Sequence, residues 1–139
     1  YVEQTESNEL IDVTFLNNLD IIIADDIEES RLVMKEIISS FNDSINIREA
    51  ENGEQILHLF QSKVPDILLI DLDMPVLNGF ETLAGIRTKY PKNTTHIVAH
   101  TAGLLSIPKE EILLMGFDDL LTKPFKPNEL LRKLHSIKK

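Results

Sequence analysis

Four short apolar runs in this sequence end on side chains that can do chemistry. Ile21-Ile22-Ile23-Ala24 leads into the acid pair Asp25-Asp26. Ile67-Leu68-Leu69-Ile70 leads into Asp71, with Asp73 two residues on and Pro75 ending the segment. Ile97-Val98-Ala99-His100 ends on Thr101 and the small residue Ala102, and the fourth run, before Lys123-Pro124, delivers that lysine. A short apolar run bounded by breakers reads as a strand buried on both faces of a parallel sheet. In open α/β sheets, ligands and chemistry collect at the carboxyl ends of the strands. Several carboxylates gathered there would repel and raise one another's pKa. A divalent cation relieves that repulsion, and an oxygen-only donor set suits Mg²⁺. Lys123 adds a second positive charge. What remains for such a site is to handle an anion. Phosphoryl is the candidate, because its transfer is catalysed by positioning and charge neutralisation, with a metal and a lysine as recurrent parts.

Taken singly, each residue has an ordinary role. An acid pair after a strand caps a helix, a lone aspartate turns the chain, and a lysine before proline sits on the surface. Arrival together at four strand ends of one sheet sets them apart. His58, His96, His100 and His135 share no metal spacing, and His100 reads as a packed or solvated side chain.

The elements that must carry these residues alternate. Residues 20–25 form a buried strand rich in β-branched residues. Residues 27–41 follow as a helix, with apolar positions at 27, 32, 33, 34, 37, 38 and 41 turned inward. Residues 44–50 alternate as a half-exposed edge strand does, and 54–63 form a short helix. After the Asp71 strand, 80–90 form a helix with Leu83 and Ile86 inward. The Thr101 strand precedes a short helix over 108–115, stopped by Gly116. Residues 117–122 make the fifth strand, and 128–137 close the chain as an amphipathic helix. Five such units imply an α/β, doubly wound parallel sheet with helices on both faces, its topology restricted by right-handed crossovers.

Bulk properties agree. A chain of 139 residues favours one domain. Apolar residues are 42% and aromatics 6%, without tryptophan, so the core is aliphatic. A net charge of −9 argues against nonspecific binding to nucleic acid or anionic membranes. The absence of cysteine excludes disulfides, cysteine-based zinc sites and thiol catalysis. No apolar run nears the roughly 18 residues that span a membrane, and no secretory signal is visible, so a cytoplasmic location is expected. Residues 1–19, polar and acidic, read as an extension or linker before a domain over 20–139.

With these residues in view, the sequence resembles the receiver domains of two-component response regulators (the CheY-like family). Asp25-Asp26, Asp71 within Ile-Asp-Leu-Asp-Met-Pro, Asn78-Gly79, Ala99-His100-Thr101-Ala102 and Lys123-Pro124-Phe125 carry the resemblance, in order, over residues 20 to 138. It implies a flavodoxin-like five-stranded parallel sheet in order 2-1-3-4-5, with two helices on one face and three on the other. It implies that Asp71 accepts a phosphoryl group from a phosphohistidine. Mg²⁺ would be held by Asp25, Asp26, Asp71 and the backbone carbonyl of Asp73, with Asp25 reaching it through water. Lys123 would pair with the phosphoryl oxygens, Thr101 and the amide of Ala102 would bind them, and the Lys123-Pro124 peptide would be cis.

One departure matters. Receivers commonly carry Tyr or Phe three residues before the lysine, and here that position is Leu120. Activation is therefore expected to be read out through backbone shifts after Thr101 rather than an aromatic flip. The implied partners are a histidine kinase or a histidine phosphotransfer domain at the Asp71 edge. The face of the fourth helix, fifth strand and fifth helix would take an output partner or a second copy, with Leu104, Leu105 and Ile107 supplying apolar contact. The isolated domain is expected not to be an enzyme, although the protein it comes from could be a hybrid histidine kinase. The competing reading is a haloacid-dehalogenase-like phosphatase using Asp71 as nucleophile and Asp73 as acid. Against it, that family places its pair on the first strand.

Overall fold

A computed structural model describes residues 13–72, 74, 79–90, 95–101, 108–123 and 125–135. A 3-10 turn, Val13–Leu16, precedes five alternating pairs: β1 Asp20–Ala24, α1 Glu28–Phe41, β2 Asn46–Ala50, α2 Gly53–Ser62, β3 Ile67–Asp71, α3 Gly79–Lys89, β4 His96–Thr101, α4 Lys109–Leu114, β5 Asp119–Thr122 and α5 Pro127–His135. The strands form one sheet in the order β2-β1-β3-β4-β5, and every neighbouring pair is parallel. This is the doubly wound architecture the sequence implies.

The register aligns the strand ends that matter. Ala24, the last residue of β1, sits opposite Ile70, and Asp71 sits opposite His100. Thr101 sits opposite Thr122. The residues that follow are thereby delivered to one edge.

Because successive strand side chains point to opposite faces, the sheet fills two cores. On one side Ile22, Leu68, Ile70, Ile97, Ala99 and Leu120 pack with Ile56 and Phe60 of α2, Leu83 and Ile86 of α3 and Ile112 of α4. On the other, Ile21, Ile23, Ile67, Leu69, Val98 and Leu121 pack with Met34, Ile38 and Phe41 of α1 and Leu130, Leu131 and Leu134 of α5. Each such aliphatic side chain contributes about 1.5–3 kcal/mol when fully buried. Leu120 takes its place in the first core against that packing.

Helix α1 corrects the sequence reading. Its inward stripe is Arg31, Met34, Ile38 and Phe41, whereas Ile27, Leu32 and Val33 are about half exposed, at 52%, 52% and 55%. An arginine can lie inward here because its donors are met. Nη1 donates to the Asp25 carbonyl at 2.7 Å and Nε to Glu49 at 3.0 Å. Asp20 is buried on the same terms at the opposite edge, accepting from Arg48 at 2.7 Å and from Asn46 at 2.9 Å.

Strand β5 begins two residues later than the apolar pattern suggests. Phe117 leaves the strand line to meet Phe80 edge-on, with centroids 5.8 Å apart. Before β1, Leu16 is fully buried in the α1–α5 core, and Phe15 stacks edge-on against His135 at 5.0 Å.

Gly79 opens α3 where the chain returns close to β3. A Cβ there would lie 2.8 Å from Leu72 Cα and 2.9 Å from the Asp71 carbonyl oxygen. Both are backbone atoms, so the clash can be relieved only by moving the chain that carries Asp71. Gly79→Ala is expected to cost about 1–3 kcal/mol, seen as a lower urea midpoint at unchanged slope. A midpoint equal to wild type would show that this loop yields freely.

Candidate functional site

The site is built where β1 and β3 end side by side. Asp25 follows β1 and is 1% exposed, and Asp71 ends β3 at 8% exposed. Asp26 is exposed. One carboxylate oxygen from each of the three lies within 4.8 Å of the other two. Like charges so close need a counter-charge.

Asp25 is fixed from several sides. Its amide donates to the Ala50 carbonyl at 3.1 Å, and its own carbonyl accepts from Arg31. Its Oδ1 accepts the Ile27 amide at 2.9 Å, and its Oδ2 accepts from Lys123 Nζ at 3.0 Å. Burial pushes this carboxyl up, but the Ile27 amide and the Lys123 ammonium outweigh it, so the pKa ends lower than usual. Asp25 is therefore charged and held in one orientation at neutral pH. Behind it, Glu49 is also lowered, chiefly by its hydrogen bond from Arg31, with Lys35 adding to the effect.

Lys123 reaches this place because β5 ends beside β4. The Lys123 amide donates to the Thr101 carbonyl at 2.7 Å. Its ammonium crosses to α1, where it also donates to Ser30 Oγ at 3.2 Å. Thr101, 5% exposed, lies one residue beyond the register partner of Asp71. Thus Asp25, Asp26, Asp71, Thr101 and Lys123 all come to the same edge. Asp73, Ala102 and Pro124 lie outside the described residues, as do Asn78, Leu104, Leu105, Ile107 and Ile137.

Two residues of this region, Arg31 and Ser30, carry no signal that the sequence shows, and a third, His100, reads there only as a packed or solvated side chain at the end of its strand. Both lie on α1: Arg31 meets the site through the Asp25 carbonyl, six residues before it, and Ser30 through Lys123, 93 residues beyond it. His100 is 1% exposed, and neither imidazole nitrogen has a hydrogen-bond partner among the described residues. Burial pushes its pKa down to about 4, and the Lys123 ammonium adds to the shift against the opposing pull of Asp25. His100 is a neutral imidazole at the floor of the site.

Chemically, three convergent carboxylates with one ammonium leave net negative charge and hard oxygen donors. That set fits Mg²⁺, which is bound through one or two carboxylates and keeps several waters.

Comparison with known proteins gives a consistent result. Residues 21–135 match the model of the response regulator receiver domain. The chain is 36% identical over 115 residues to the nitrate/nitrite response regulator protein NarL of Escherichia coli, covering 83% of this chain and 52% of that protein. The match thus spans about half the length of that relative. It is 30% identical over 114 residues to hybrid signal transduction histidine kinase H of Dictyostelium discoideum, covering 78% of this chain and 8% of that protein. A putative response regulator from Chloroflexus aurantiacus has the same fold, with a TM-score of 0.78 and 25% identity over 87% of this chain and 98% of its own.

Proposed function

The chain belongs to the response regulator receiver domain family, and from that premise we propose that Asp71 is its phosphoacceptor, with Asp25, Asp26, Thr101 and Lys123 serving the transfer. The domain has the phosphoacceptor role of two-component signalling. The phosphatase alternative finds no support in the family match, and Asp71 ends the third strand rather than the first.

One observation carries the residue assignment. The carboxylates of Asp25, Asp26 and Asp71 converge within 4.8 Å, with the Lys123 ammonium 3.0 Å from Asp25. In this reading an Asp71 oxygen attacks the phosphorus of a phosphohistidine in line. The P–N bond breaks, a P–O bond forms, and the imidazole leaves with its electron pair. Asp25, Asp26 and Asp71 would hold Mg²⁺, Asp25 through water, and the ion would supply charge neutralisation for the phosphoryl oxygens. The backbone carbonyl of Asp73 is proposed as a further ligand and the Ala102 amide as a phosphoryl donor. Lys123 gives up Asp25 for the phosphoryl group, and the Thr101 hydroxyl binds another of its oxygens. Incubation with acetyl phosphate, with and without Mg²⁺, followed by intact mass, tests this. A single Mg²⁺-dependent phosphoryl gain supports it, and a gain independent of Mg²⁺ refutes the metal assignment.

The donor is a histidine kinase or histidine phosphotransfer domain, which must approach Asp71 from the edge flanked by α1. There Ile27, Val33, Met34, Ile37 and Phe125 line an apolar groove of about 440 Å³ that Lys123 borders. Val33→Glu is expected to slow transfer from a phosphohistidine domain by about tenfold or more. Uptake from acetyl phosphate should not change, and equal loss with both donors would remove the groove from recognition.

On the far side, Leu114 of α4 is 85% exposed, which suits an output partner or second copy on the α4–β5–α5 face. The proposed domain runs over 20–139, with 1–19 as an extension. In this reading it is cytoplasmic and, as an isolated domain, catalyses only its own phosphorylation and dephosphorylation, whether in a response regulator or a hybrid kinase. Among the described residues no helix is long and apolar enough to cross a membrane.

A further inference from the structure

We propose that Ser30 is a positioning residue for Lys123, holding the ammonium on the α1 side of the site in the unphosphorylated protein and so restraining phosphoryl uptake. The inference rests on the reading of Asp71 as phosphoacceptor.

Ser30 lies in the first turn of α1, 93 residues from Lys123, and its Oγ accepts from Lys123 Nζ at 3.2 Å. Nothing local asks for a serine there. The cap position belongs to Ile27, and no side chain caps the helix. Serine is also a poorer helix former than alanine. An ammonium has three donors. Two are committed towards β1 and α1, to Asp25 Oδ2 and Ser30 Oγ, both on the side away from β4.

In the proposed exchange, Lys123 leaves that position to meet a phosphoryl group on Asp71, whose carboxylate lies within 4.8 Å of that of Asp25. The bond to Asp25 is a charge pair, and its worth falls once a cation shares the carboxylate. The bond to Ser30 is to a neutral oxygen and keeps its worth with or without metal. It therefore stabilises the resting position selectively, and what stabilises a starting state without stabilising the transition state slows the step between them. Once the acyl phosphate has formed, Lys123 is off Ser30, so the hydroxyl has no further effect on hydrolysis.

Two variants test this with acetyl phosphate at saturating Mg²⁺. Ser30→Ala is expected to raise the rate of phosphoryl uptake by about three- to tenfold, the range of one partly solvated hydrogen bond to a charged group. The acyl-phosphate lifetime should stay unchanged, and the melting temperature should fall by no more than the loss of that one bond, less what alanine returns as a better helix former. Ser30→Thr, which keeps the hydroxyl, should restore the wild-type rate. A merely structural serine would leave the ratio of uptake to hydrolysis alone. Uptake by Ser30→Ala at the wild-type rate, or acceleration shared by Ser30→Thr, overturns the inference alone. Wild-type protein that takes up no phosphoryl group overturns the phosphoacceptor reading and this inference together.

Discussion

Asp71→Asn is expected to reduce phosphoryl uptake from acetyl phosphate to below detection while the fold stays intact. The wild-type protein should gain one phosphoryl group, and the group should be labile to alkali, as an acyl phosphate is. The amide that replaces the carboxylate has nearly the same shape, so packing around a residue that is 8% exposed changes little. Its reactivity changes completely. An amide oxygen at neutral pH lacks the charge and the lone-pair availability that covalent catalysis by a carboxylate uses. The substitution also removes one of three negative charges held within 4.8 Å. Without metal, it should relieve repulsion and raise the melting temperature. A more stable protein that takes up nothing separates loss of the nucleophile from loss of the fold. Residual uptake at the wild-type rate would place the phosphoryl group on another residue and overturn the assignment.

The second large effect is on stability against pH. His100 is pushed from the usual 6.5 down to about 4, mainly by burial. Between those values the unfolded chain carries a proton on this imidazole and the folded chain does not. The unfolded state then binds more protons, so stability rises with pH through this window and is lost as pH falls. The contribution is fully present above about pH 6.5. From there to pH 4 the loss integrates to about 3 kcal/mol. His100→Leu should remove that loss. The variant should match or exceed wild type at pH 7, because two buried nitrogens without partners are exchanged for apolar atoms. Its advantage should widen steadily from pH 6.5 to pH 4. Urea unfolding of both proteins at several pH values reads this directly, since carboxylate titrations common to both cancel. Parallel curves would mean that His100 charges freely in the folded state.

The strands β1, β3 and β4 were legible because parallel strands buried on both faces must be apolar without interruption, and few other structures read that way. Their ends were legible for the same reason: Asp25, Asp71 and Thr101 stop the runs. What sequence could not show is anything decided by a partner far along the chain. Leu32 and Val33 looked inward by hydrophobicity, but α1 turns Arg31 inward because Glu49 and the Asp25 carbonyl wait for it. Phe117 looked like strand because it is apolar, yet it serves the ring of Phe80 instead. His100 reads as packed or solvated, but nothing local says that it packs beside the acid cluster, and the reach of Lys123 to Ser30 depends on β5 lying beside β4. Local period reveals which face a segment buries only when its polar residues have no better use inside.

The 3-10 turn at Val13–Leu16 and the end of α5 meet at the pole of the sheet opposite the acid cluster, through Phe15 and His135. A strand of five residues puts about 17 Å between those poles. Entry and exit of the folded unit thus share one mooring, remote from the chemistry. A neighbour tethered at either side would hang from the end opposite Asp71, far from where it is modified. Tethering alone would transmit little of that event, and a neighbour would have to reach back along the flank of the sheet to sense it.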